Sequence, residues 1–279
     1  MLLSSFLREA AAALEPLYPG EEARRLTLLL CEELLGTKSY THIIEPSFAV
    51  PAHKEALLSD ALRRLAAGEP LQYVTGRAHF CGRTFRVTPD VLIPRPETEI
   101  LVREALRLGG RSVLDLCTGS GNIAWSVALD LPGAQVVGVD ISEAALAVAR
   151  GQAFPGGHAP LFVRADVLDP AQDFPFGPFD LILSNPPYVC EREKAQMRPN
   201  VLEHEPALAL FVPDADPLLY YRAIAAWSQR FLAPEGKGLT EINEALGPQT
   251  RQLFLEAGFA QAGVLQDFHG RDRFVFYAR

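Results

Sequence analysis

From Ser112 onward the chain alternates short apolar runs with segments of helical spacing, and few folds accommodate that rhythm. The apolar runs are Ser112–Leu116, Gln135–Val139, Leu161–Val163, Phe179–Ser184 and Gly238–Ile242. Between them, Asn122–Asp130 and Glu143–Gln152 place their apolar residues on one helical face. Short apolar strands separated by helices predict a doubly wound α/β domain with a mostly parallel sheet. The end of the chain departs from this pattern. Gly263–Phe268 and Arg273–Ala278 read as strands joined by a tight turn at His269-Gly270, a final antiparallel hairpin on the sheet edge.

The first strand of the domain runs into Asp115-Leu116-Cys117-Thr118-Gly119-Ser120-Gly121, and a helix follows. Glycines at such a turn let backbone approach a ligand closely, and the helix start supplies free N–H groups. Gly119-Ser120-Gly121-Asn122-Ile123-Ala124 also satisfies the dinucleotide pattern G-x-G-x-x-[GA], so the loop alone does not choose its ligand. Asp115 separates the alternatives: a carboxylate at the strand end suits a ligand carrying an ammonium and a sulfonium, whereas a pyrophosphate is repelled. S-adenosylmethionine is such a ligand. Asp140 ends the second strand and offers acceptors for both ribose hydroxyls; its bland alternative is a helix cap near Ser142. Asp166 and Val167 follow the third strand, where an adenine edge and face are expected, although Asp166 also suits a plain turn. The closing antiparallel hairpin favours a methyltransferase sheet over that of a dinucleotide dehydrogenase.

Asn185-Pro186-Pro187-Tyr188 follows the apolar strand Phe179–Ser184, at the carboxyl edge where doubly wound folds bind ligands. A planar NH2 group presents two donors and keeps its lone pair in conjugation. The Asn185 side-chain oxygen and the Pro186 carbonyl can each accept one of its hydrogens, orienting the nitrogen for in-line attack on a methyl group. The prolines restrain the loop so that its carbonyls stay aimed. Tyr188 is expected to pack its ring on the planar group, near the sulfonium methyl. Taken as a turn after a strand, the same four residues carry no chemistry.

The N-terminal third reads differently. Phe6, Leu7, Ala10, Ala11 and Leu14 recur at helical spacing until Pro19-Gly20, and a second helix over Glu21–Leu35 ends at Gly36, placed as a C-cap. A further helix, Ala52–Ala67, ends at Gly68, giving a small helical bundle. Leu71–Val91 reads as a β-hairpin or extended linker, and Glu97–Leu108 as a helix after Pro94 and Pro96. The expected division is a helical domain over 1–75, a hairpin linker over 76–92 and a catalytic domain over 93–279. A net charge of −8 argues against a long nonspecific grip on nucleic acid. Four cysteines, Cys31, Cys81, Cys117 and Cys190, lack the spacing of a zinc site and suggest reduced thiols in the cytoplasm, with no metal. No signal peptide or membrane span is read, and a monomer without direct nucleic-acid contact is expected.

On several segments together the chain resembles the bacterial HemK/PrmC release factor glutamine methyltransferases. They are Pro70-Leu71-Gln72-Tyr73-Val74-Thr75-Gly76, Phe80-Cys81-Gly82, Leu92 to Glu99, the glycine loop, Asn185 to Tyr188 and Glu205-Pro206. Ile93 to Glu99 is the more diagnostic, because Asn-Pro-Pro-Tyr also occurs in amine-methylating DNA enzymes. The resemblance implies a small all-α N-terminal domain, a hairpin linker and a class I S-adenosylmethionine-dependent methyltransferase (Rossmann-like) domain. It further implies methyl transfer to the amide nitrogen, N(5), of glutamine in the Gly-Gly-Gln motif of peptide chain release factors. Cofactor contacts carry over onto Cys117, Thr118, Gly119, Ser120, Gly121, Asp140, Val167 and Asn185. Glutamine contacts carry over onto Asn185, Pro186, Pro187 and Tyr188.

The chain also departs from the family. Cys117 stands where glycine is usual, a small side chain being tolerable there at negative φ. Asn243 follows Glu241-Ile242 in place of glycine, Leu246 replaces glutamine, and Asp216-Pro217-Leu218 replaces Asp-Gly-Leu. Glu97 and Glu99 read either as a helix-start pair or as groups at the substrate mouth, and Arg95 either as a contact to the substrate or as an anchor. Three other functions compete: a DNA adenine-amine methyltransferase, a nicotinamide-dependent oxidoreductase, and an S-adenosylmethionine-binding scaffold without turnover.

Overall fold

The computed structural model describes residues 1–156, 158–169 and 171–279. It divides into two compact units, Met1–Arg77 with Arg198–His204, and Ala78–Met197 with Glu205–Arg279. The first unit is helical: α1 (Leu3–Leu14), α2 (Gly20–Leu35), α3 (Thr41–Ile44), α4 (Ala52–Ala66) and α5 (Leu71–Thr75). Pro19 precedes α2, Glu21 and Glu22 complement its N-terminus, and Gly36 ends it at φ 71°. Leu3, Phe6, Leu14, Leu30, Leu58 and Leu65 form one buried core. Arg198, from far along the chain, pairs with Glu22 at 2.6 Å within this unit.

Leu71–Thr75 differs from the extended linker that Tyr73 and Val74 suggest. Pro70 presents its carbonyl to the amides of Tyr73 and Val74, both at 3.0 Å, and Gly76 closes the turn at φ 70°. Both side chains are buried, and capping at both ends outweighs their β propensity. The hairpin follows as β1 (Arg77–Phe80) and β2 (Arg83–Arg86).

The second unit continues with α6 (Thr98–Leu108), β3 (Ser112–Leu116), α7 (Asn122–Asp130), β4 (Gln135–Asp140), α8 (Glu143–Arg150), β5 (Leu161–Arg164) and β6 (Phe179–Ser184). After β7 (Val189–Cys190) come α9 (Pro199–His204), which belongs to the first unit, α10 (Ala207–Leu210) and β8 (Phe211–Val212). The chain ends with α11 (Leu219–Phe231), β9 (Leu232–Glu241), α12 (Gly247–Glu256), β10 (Gln261–Gln266) and β11 (Asp272–Ala278).

The main sheet has the order β10-β11-β9-β6-β3-β4-β5. From β9 to β5 its neighbours run parallel, and β11 is antiparallel to both β9 and β10, so the last hairpin closes the edge. Chain order reverses beside β3, which lies between β4 and β6. This is the topological switch point, at whose carboxyl side doubly wound sheets bind ligands. One face packs on a core including Leu101, Val127 and Leu146, and the other on Ile224, Trp227 and Phe254. β9 begins six residues before the predicted Gly238. Its register against β6 slips between Phe179 and Leu181, where Pro234, Glu235 and Gly236 interrupt the apolar pattern that marks a strand. Among the described residues no helix is long and apolar enough to cross a membrane.

Gly238 of β9 lies opposite Tyr277 of β11, and a Cβ there would sit 2.0 Å from the Tyr277 ring. That ring is fully buried, stacked on Phe254 at 4.0 Å, and its hydroxyl meets Ser228 Oγ at 2.8 Å. Gly238→Ala is therefore expected to destabilise the protein by about 2–3 kcal/mol through overpacking. Denaturant unfolding at unchanged m-value measures the loss; a wild-type midpoint would refute this account of Gly238.

Candidate active site

The loop after β3 is built from alternating left-handed residues: Cys117 at φ 61°, Gly119 at φ 54° and Gly121 at φ 77°. A Cβ on Gly121 would meet the Phe162 ring at 2.9 Å, so both conformation and space demand glycine there. Thr118 N–H donates to Val139 O of β4 at 2.9 Å, and Gly119 N–H to Asp140 Oδ2 at 2.9 Å, tying the loop to the neighbouring strand. Cys117 corrects the expectation of negative φ. Its left-handed backbone costs about 1–2 kcal/mol relative to glycine, held in place by the loop anchors on either side. Burial, with Asp140 and Asp115 nearby, pushes its thiol well above the ordinary range, so it is no thiolate nucleophile.

A cavity of about 200 Å³ opens at the carboxyl ends of β3, β4 and β6. It is lined by Cys117, Thr118, Gly119 and Ser120, by Asp140, by Asp166 and Val167, and by Asn185 and Pro187. Asp115, Gly121, Pro186 and Tyr188 are not among its lining residues. Asp115 lies beneath the loop, fully buried, where its Oδ2 accepts the Thr118 hydroxyl at 2.5 Å and its Oδ1 has no hydrogen-bond partner.

Asp140 accepts Ser142 N–H on Oδ1 at 3.0 Å and Gly119 N–H on Oδ2 at 2.9 Å, leaving further lone pairs on both oxygens. Ser142 itself caps α8, accepting Ala145 N–H at 3.2 Å, so that role is not Asp140's. Burial raises the Asp140 carboxyl, against the backbone amides that hold its ionised form. Asp166 serves its turn as well, accepting Leu168 N–H at 2.9 Å, and lines the cavity together with buried Val167. Exposed Ile141 and Leu168 add apolar wall that the motifs did not disclose, although each directly follows or neighbours a predicted contact.

Around the tetrapeptide, side chains far apart in sequence form one buried chain of hydrogen bonds. Asn185 Nδ2 donates to Thr98 Oγ1 at 3.3 Å, and Thr98 Oγ1 donates to Glu241 Oε2 at 2.7 Å. Tyr188 donates its hydroxyl to Glu241 Oε1 at 3.0 Å. Glu241 and Thr98 are each 1% exposed. Burial raises the Glu241 carboxyl, opposed by those two donors and by Arg273. Asn243 Nδ2 reaches the Tyr188 carbonyl at 3.2 Å and Glu193 Oε2 at 2.9 Å, so the residue that replaces the family glycine braces the tetrapeptide's far end. At the cavity wall, Arg95 pairs with buried Glu205 at 2.7 Å, and Glu205 also accepts Ile93 N–H at 3.2 Å. Arg95 thus anchors its own segment. Glu99 accepts Cys81 N–H at 2.9 Å, joining the hairpin turn to α6.

Thr98, Glu241, Asn243 and Glu205 carry much of this geometry. The sequence places Glu241 in a Glu-Ile pair on an apolar strand and Thr98 within the segment Ile93 to Glu99, but assigns neither a part in the site.

Burial pushes the Asp115 carboxyl up to about 7, with Thr118's hydrogen bond pulling against it. An acid raised by folding binds its proton more tightly in the folded state. Its contribution is therefore fully present below its unfolded value, about 4, and is lost as pH climbs through about 7. Asp115→Asn should be more stable than the parent by about 1–3 kcal/mol at pH 8 and no more stable at pH 4. A pH-independent difference in denaturation midpoint would reject the buried-acid assignment.

Comparison with known proteins bears on the whole chain. Residues 5–76 match the family model described as the PrmC N-terminal domain, and residues 96–205 match the methyltransferase small domain. A release factor glutamine methyltransferase of Bacteroides thetaiotaomicron is 41% identical over 275 residues, covering 98% of this chain and 98% of that protein. Another from Flavobacterium psychrophilum is 35% identical, covering 99% and 98%, and one from Cereibacter sphaeroides is 39% identical, covering 99% and 98%. The chain belongs to the release factor glutamine methyltransferase family.

Proposed function

We propose that the enzyme transfers a methyl group from S-adenosylmethionine to the side-chain amide nitrogen of the glutamine in the Gly-Gly-Gln motif of peptide chain release factors. The observation that carries this reading is the position of Asn185, a residue that lines the cavity and turns its amide nitrogen to Thr98. Full-length similarity to release factor glutamine methyltransferases supports the choice of substrate.

The residues present fit the methyl donor. Gly119 leaves space over the loop, Asp140 keeps acceptor capacity on both oxygens, and Ile141, Val167 and Leu168 supply apolar wall for a flat base. We assign Cys117 to Ser120 to the methionine end, Asp140 to the ribose, Asp166 and Val167 to the adenine, and Asn185 to the boundary with the substrate. Asp115 and Gly121 support this loop from behind. When bound, the donor supplies an electrophilic methyl on a sulfonium.

The protein's part is to hold the nucleophile. Asn185 Oδ1 accepts one amide hydrogen of the substrate glutamine and the Pro186 carbonyl accepts the other, fixing the nitrogen in line with the methyl. Pro187 shapes the loop beside it. Tyr188 limits the loop from its far side, held by Glu241 through its hydroxyl and by Asn243 through its carbonyl.

Two results are expected. With labelled S-adenosylmethionine and a purified release factor, mass spectrometry should place one methyl on the Gly-Gly-Gln glutamine; methylation elsewhere, with that glutamine untouched, refutes the reading. Asn185→Ala should lower kcat by about 100-fold or more, since one of two positioning acceptors is lost. Donor affinity should stay within about threefold of the parent, because the loop and Asp140 are intact.

A further inference from the structure

An asparagine amide can present either its oxygen or its NH2 to a cavity. Only the oxygen can accept a hydrogen from a substrate amide, so catalysis by Asn185 requires that its orientation be set by something else. The chain of bonds behind it has a direction. The Glu241 carboxyl accepts on both of its oxygens, from Thr98 at 2.7 Å and from Tyr188 at 3.0 Å. A hydroxyl has one hydrogen. Having given it to Glu241, Thr98 Oγ1 can only accept from Asn185, which must therefore turn Nδ2 toward it, at 3.3 Å. Among the described residues nothing bonds Asn185 Oδ1.

We infer that Glu241 and Thr98 act as positioning residues, a polarity relay in which the buried carboxylate dictates that Asn185 presents its oxygen to the substrate amide. This rests on the reading of Asn185 given above. Both relay residues are buried, each about 1% exposed, so a missing member leaves its partner's polar group inside the protein. Glu241 is not among the residues lining the cavity, and Thr98, which is, acts here through Asn185. The relay also accounts for a carboxylate kept in an unfavourable environment at the end of β9, where a neutral residue would be cheaper to bury.

Three variants separate polarity from packing, each assayed for kcat on a release factor at saturating donor, for donor affinity and for thermal midpoint. Thr98→Val keeps shape and removes the hydroxyl, leaving the Asn185 amide free to turn; kcat should fall by about tenfold or more, with donor affinity within about threefold. Thr98→Ser keeps the hydroxyl and should recover most of that loss. Glu241→Gln keeps shape but can donate to Thr98, which permits the inverted relay, and should lower kcat by about tenfold or more. Parent-like kcat in Thr98→Val or in Glu241→Gln overturns the inference. So does an equal loss in Thr98→Ser and Thr98→Val, which would point to packing. A parent enzyme that leaves the release factor glutamine unmethylated overturns the proposed function, and the inference with it. A fall in thermal midpoint that accounts for the lost activity through unfolded enzyme overturns the relay alone.

Discussion

The register of β3 against its two parallel neighbours sets the rest of the site. Leu116 lies opposite Val139 on one side and Ser184 on the other, so the three strands end at one level. Cys117, Asp140 and Asn185 are the residues that emerge there. Two bonds hold that level: Thr118 N–H to Val139 O, and Ser184 Oγ to Leu116 O, both at 2.9 Å. A slip by one residue would exchange the faces of a whole strand and bury a different set of side chains, so the apolar interior enforces the alignment that places the polar residues.

How far the sequence discloses this arrangement depends on the range of the interactions. β3 and β6, both apolar and bounded by turns, are legible to the residue, as are α7 and the C-cap at Gly36. The loop from Cys117 to Gly121 and the tetrapeptide are legible because unusual local backbone needs particular residues. Leu71–Thr75 misleads, since its helix depends on caps at Pro70 and Gly76 more than on its own side chains. The link from Asn185 to Glu241 spans Thr98, and neither partner lies near the tetrapeptide in sequence. No local pattern encodes contacts of that separation.

Around the site lie three largely buried acids. Asp115, Asp140 and Glu241 are each raised by burial, and each is held by hydrogen-bond donors that favour the ionised form. Their hydrogen-bond partners are hydroxyls and backbone amides, and of the three only Asp140 lines the cavity. Asn243 adds a brace of its own. Where a glycine could only turn the chain, its amide bridges the Tyr188 carbonyl and the Glu193 carboxylate, so this departure from the family strengthens the loop around the tetrapeptide.

The segment Arg198–His204 belongs with the helical unit although it lies between residues of the other. The backbone therefore passes between the two units three times, at Arg77–Ala78, Met197–Arg198 and His204–Glu205. A proteolytic cut near Arg77 would leave the helical unit split between two polypeptides, with only Arg198–His204 still joined to the second unit by backbone. Such a cut would leave the two parts of the helical unit held together only by non-covalent contacts, among them the pair of Arg198 with Glu22.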